Sequence, residues 1–123
     1  MKRTAILGAA LLPVLAACGG VNDVSFSRDV QPILADNCLV CHQEGGQGYE
    51  ASGFSMATYD DLMKGTRNGP MVIPGDAEGS NLVVLMEGRA DPSISMPHGS
   101  MERVPQGEID KIRRWIDQGA KKN

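Results

Sequence analysis

The chain has 123 residues and a mass of 13.1 kDa, room for one domain. It is 41% apolar and 22% charged, an ordinary globular composition that excludes a disordered or collagen-like chain. The formal charge of −3 argues against a nucleic-acid binder, which would carry a basic patch.

Lys2 and Arg3 precede an apolar run from Thr4 to Ala17 that Pro13 interrupts. A basic start, an apolar stretch too short to span a bilayer and small residues at its end predict an export signal over residues 1–17. Leu15-Ala16-Ala17-Cys18 resembles a bacterial lipobox, which implies removal of residues 1–17 and lipidation of Cys18. The other reading is an ordinary secretory signal, which would leave Cys18 as a lone thiol in an oxidising compartment. Lipidation implies an extracytoplasmic, membrane-anchored protein, because several acyl chains on one residue anchor stably. Gly19 after the cysteine, rather than Asp, implies the outer membrane by resemblance to sorted lipoproteins. Residues 18–25 then hold the lipidated Cys and a polar linker, Gly19 to Ser25, spanning at most about 25 Å. Partners would have to come to a domain held that close to the bilayer.

Phe26, Val30, Ile33 and Leu34 fall on one face of a helix. Pro32 is tolerated only near a helix start, so Asp29 is the expected N-cap. The helix runs into Cys38-Leu39-Val40-Cys41-His42, a C-x-x-C-H motif. Two thiols about one helical turn apart can reach the two vinyl groups on one haem edge, and the next residue can supply the proximal nitrogen. Structural zinc would need a second Cys pair, which the chain lacks. A thioredoxin-like redox pair would need a β-α-β context. Copper held by Cys38, Cys41, His42 and Met sulfur is chemically sensible, since soft ligands select Cu(I). With haem, the cysteine count closes: one for lipid and two for thioethers. The few aromatic rings (two Phe, two Tyr and one Trp) are consistent with a core that borrows a large apolar group.

The phrase Phe26-Ser27-Arg28-Asp29-Val30-Gln31-Pro32-Ile33-Leu34 followed by C-x-x-C-H resembles class I c-type cytochromes, and most closely the Planctomycete-type cytochrome c domain. The likeness runs from Phe26 to Ala120. It implies an all-α, single-haem cytochrome c-like fold over residues 26–120, with N- and C-terminal helices packed across each other in a loop-rich haem envelope. Residues 121–123 are then a basic tail. Cys38 and Cys41 would attach one haem c covalently, with His42 as proximal iron ligand.

The distal ligand is sought among the methionines. Thr58 and Asp61 have capping-box spacing for a short helix carrying Met63. Met56, Met63 and Met86 read as core filler, whereas Met71 lies in an extended segment and stays open as a ligand. Met96 precedes Pro97, which disfavours helix and holds the thioether in a stiff loop, and the family's axial Met lies in just such a phrase. Met96 is therefore the expected distal ligand. The family continues Met-Pro-Pro, but here His98 follows, a second imidazole that could compete for iron or simply lie at the surface. Met96, His98 and Met101 also form the nearest approach to a copper cluster in this part of the chain.

Val72 to Leu82 resembles another phrase of the family, with Ser80 expected to cap a helix from Asn81 to Glu87 that Gly88 ends. A last helix is predicted from Gln106 to Gln118, its stripe of Ile109, Ile112 and Ile116 beside Trp115, and Ile112 or Ile116 expected near Phe26 or Val30. Residues 111–122 carry a net +4 against −9 for residues 18–110. That asymmetry fits a solvated helix end or a charge patch on a redox partner protein. No acid/base dyad or nucleophile–base pair suggests an enzyme. The sequence thus reads as an electron-transfer protein; a haem-based sensor or minor peroxidase, and a copper metallochaperone, are the alternatives.

Overall fold

A computed structural model of the chain describes residues 22–123; the expected signal peptide and Cys18 lie outside the described residues. The first helical segment opens with one turn of π-helix, Phe26–Val30, and continues as α1, Gln31–Asn37. The wide turn falls where Pro32 has no N–H to donate back along the helix. The cap differs from the expected Asp29. Ser25 Oγ accepts from the Arg28 N–H at 3.3 Å, while the Asp29 carboxylate reaches back to the Ser25 N–H at 2.8 Å. The reciprocal pair starts the helix a turn earlier.

Helix α2 is Gln47–Ser52, α3 is Tyr59–Lys64, α4 is Asn81–Met86 and α5 is Gln106–Asp117. Thr58 caps α3 as its spacing predicts, accepting from the Asp61 N–H at 3.1 Å and donating to its carboxylate at 2.8 Å. Ser80 stands at the N-cap position of α4 but does not cap it. Its buried hydroxyl accepts from the Ile73 N–H at 2.8 Å and donates to the Asp76 carbonyl at 2.7 Å, tying the preceding loop instead. No strand occurs among the described residues, so the fold is all-α.

The aromatic rings gather at one end. Phe26 lies 5.2 Å from Tyr59 and 5.5 Å from Trp115, measured between ring centroids. Trp115 of α5 thus packs on Phe26, and Ile112, Trp115 and Ile116 are all fully buried in the same core as Phe26 and Val30. Residues 121–123 are fastened rather than loose. The Trp115 indole donates to the Lys121 carbonyl at 2.9 Å, and Asn123 accepts from the backbone of Phe26 and Ser27. The start of the first helical segment and residues 121–123 are therefore locked together at the aromatic end, and α1 leads away from it to the cysteines.

Candidate functional site

Where α1 stops, the chain tightens into a turn. The N–H groups of Cys41 and His42 both donate to the Cys38 carbonyl, at 3.1 and 3.0 Å. That turn keeps the two cysteines close together, with Val40 between them 63% exposed. Both thiols are free. Burial, with Cys41 adding to it, pushes the Cys38 thiol up to about 11. A redox-active cysteine pair needs the opposite shift, so the thioredoxin-like alternative finds no support here.

His42 is buried. Its Nδ1 donates to the Phe54 carbonyl at 3.1 Å, which leaves Nε2 as the free lone pair. Burial lowers the imidazole pKa, partly opposed by the Phe54 carbonyl and reinforced by the charge of His98. A neutral ring with one nitrogen committed to a carbonyl is the state a metal ligand requires. The segment after the motif is held close against it. The Tyr49 N–H donates to the Cys41 carbonyl at 2.9 Å, and the Met56 N–H to the His42 carbonyl at 2.7 Å. Gly48 faces the imidazole so closely that a Cβ there would stand 2.7 Å from Cε1 and 2.9 Å from Nε2.

Cys38, Cys41, His42, Met96, His98 and Met101 all line one cavity of about 530 Å³. Its walls come from the end of α1, from α2, from α4 and from the loop after α4, with Met56, Met71, Leu82, Leu85 and Met86 among them. Met56 and Met86 are buried, as core filler should be, yet they also face this space. The volume lies in the ~300–1,000 Å³ range of cofactor sites. The residues present fit a haem: two adjacent thiols, an imidazole with a free Nε2, thioethers and otherwise largely apolar walls. Among the described residues no three His, Cys, Asp or Glu side chains come together as a metal-ion site, so the copper alternative would lean on Met sulfur.

Sequence reasoning missed Phe54, Gly48 and the cavity-facing side of Met56 and Met86. The Phe54 contribution is a backbone carbonyl and carries no side-chain signal. Only the glycine-rich run after His42 hinted at close packing.

Helices without strands, wrapped around a cavity with a Cys-x-x-Cys-His turn in its wall, are the arrangement of c-type cytochromes. Residues 38–98 match the family model described as Planctomycete cytochrome C. The match runs from the first motif cysteine to His98, narrower than the Phe26–Ala120 likeness expected from the sequence. No curated protein and no solved structure matches the chain. The family implies covalently bound haem c, and Cys38 and Cys41 are the cysteines of its motif.

Proposed function

We propose that the protein is a single-haem electron carrier, tethered by lipid on Cys18 to the extracytoplasmic side of a membrane, the outer membrane favoured, serving redox partner proteins. The observation that carries this reading is that Cys38, Cys41, His42 and Met96, from two distant segments, line one cavity while His42 Nδ1 is already committed to the Phe54 carbonyl. Cys38 and Cys41 would hold the haem by thioethers, His42 Nε2 would bind the iron and Met96 sulfur would take the distal position. When bound, the haem supplies a one-electron ferrous/ferric couple. The chain's own part is to hold the ligands in place and keep water from the iron with apolar walls. Mass spectrometry of the exported protein tests both covalent claims. Haem on the 38–41 peptide and acyl chains on Cys18 are expected; an unmodified 38–41 peptide sinks the carrier reading, and an unmodified Cys18 the tether.

One observation favours a second reading, a haem-based sensor or minor peroxidase. From Arg89 to Arg103 no residue is buried, and His98 lines the cavity beside Met96. A distal ligand on so exposed a loop could leave the iron. Carbon monoxide binding by the reduced protein separates the two: a carrier excludes it and a sensor binds it.

A further inference from the structure

The loop carrying Met96 has few attachments of its own. Among the described residues, the only hydrogen bond from Ala90–Arg103 to the body of the protein is from the Met96 N–H to the Leu85 carbonyl, at 3.2 Å. The base of the loop is held differently. Arg113 of α5 donates to both Glu87 oxygens, at 2.9 and 3.1 Å, and to Glu78 at 2.7 Å. Arg89 meets the same two carboxylates, Glu87 at 2.7 Å and Glu78 at 3.0 Å. Each carboxylate is bridged by both guanidiniums, and Glu87 and Arg113 keep only 17% and 27% of their side chains exposed. Networks of partly buried charges hold geometry in a way that isolated surface pairs do not. Ile112, Trp115 and Ile116 bury α5 on either side of Arg113, so one end of the network is anchored in the core. Glu87, at the other end, ends α4, and Gly88 starts the loop. The loop returns at Arg103, whose guanidinium lies against Gly88.

We propose that this four-charge network is a clamp for the distal ligand loop, and that Arg113 is a positioning residue that keeps Met96 at the cavity. The inference rests on the reading of Met96 as iron ligand. It sets the balance between a closed loop and an open iron site, and therefore between the two functions above.

The test uses the full-length holoprotein and its Arg113→Ala, Arg113→Lys and Met96→Ala variants, with Arg28→Ala as an exposed ion-pair control. The readouts are the weak near-infrared band that methionine sulfur gives ferric haem, carbon monoxide affinity of the reduced protein, and the melting curve. Arg113→Ala is expected to lose most of the band and bind carbon monoxide about tenfold more tightly. Arg113→Lys falls between it and wild type, and Arg28→Ala matches wild type. If Arg113→Ala melts earlier but keeps the band and excludes carbon monoxide, the network stabilises the fold only and the proposal is overturned. If Arg113→Ala does not accumulate, Arg113→Lys and Glu78→Gln read the same balance, and a wild-type band and affinity in both overturns it. Met96→Ala separates the two claims. A band that survives there refutes the ligand reading, whereas a band lost there but kept in Arg113→Ala refutes the clamp alone.

Discussion

His42 Nδ1 stands 3.1 Å from the carbonyl oxygen of Phe54, so a backbone atom twelve residues downstream decides which nitrogen of the ring keeps its lone pair free. Phe54 also packs its own ring against the imidazole, 5.4 Å between centroids at 62°. On the other side the ring meets Gly48.

That contact predicts a steric penalty. In Gly48→Ala the new methyl would approach Cε1 and Nε2 of His42 within 2.9 Å and the Cys41 carbonyl at 3.0 Å. Overpacking of this kind costs about 1–3 kcal/mol. Gly107→Ala is the control, because a Cβ there meets nothing within 4 Å and alanine is the better helix former. Denaturant melts should show a loss for the first and none for the second; equal melts would remove Gly48 from the account of the site.

The cavity predicts what happens without its occupant. Empty, a cleft of 530 Å³ leaves its largely apolar walls to water, and burying those walls is part of what a bound group would contribute to a marginally stable domain. The Cys38→Ala/Cys41→Ala protein, unable to retain covalent haem, is expected to lose its cooperative melt and its near-ultraviolet dichroism. A sharp native-like transition would show that the chain folds without the group.

Much of this was legible in the sequence, and the rest was hidden for identifiable reasons. The faces of α1 and α5 follow from apolar periodicity, and Thr58 declares its cap through Asp61 three residues on. Ser80 has the right residue type for a cap, but the Ile73 N–H and the Asp76 carbonyl of the preceding loop take its hydroxyl first. Asp29 has the residue type of a cap too, but its carboxylate receives the Ser25 N–H, one turn earlier. Helix α2 sits in a glycine-rich polar stretch without periodicity, and tertiary contacts to Cys41 and His42 hold it. The motif Cys38-x-x-Cys41-His42 shows in the sequence alone; the carbonyl that orients its histidine does not.

Among the methionines lining the cavity, the loop position of Met96 predicts a distinct phenotype. Met96→Ala should abolish the near-infrared band and lower the reduction potential, because a thioether favours ferrous iron. Met71→Ala, at another point of the same wall, should keep both. The reverse result would transfer the ligand assignment to Met71.

Acid should loosen the base of the ligand loop. The Arg113 hydrogen bond, and then the Arg89 charge, hold the Glu78 carboxyl below its ordinary value of 4.5. A carboxyl whose pKa is lower in the folded state contributes stability above its unfolded value and loses it as pH falls through the folded one. Wild-type stability is therefore expected to hold down to about pH 5 and then decline, with part of that decline absent in Glu78→Gln. Parallel acid profiles for the two proteins would show that Glu78 is not responsible.

The most direct test of the central claim is the absorption spectrum of the purified, membrane-extracted protein, ferric and then dithionite-reduced, with its haem content per chain. One covalent haem, a c-type spectrum on reduction and a near-infrared band when oxidised are the predicted result. Protein without covalent haem, from a host able to attach it, would contradict the account and return the site to copper.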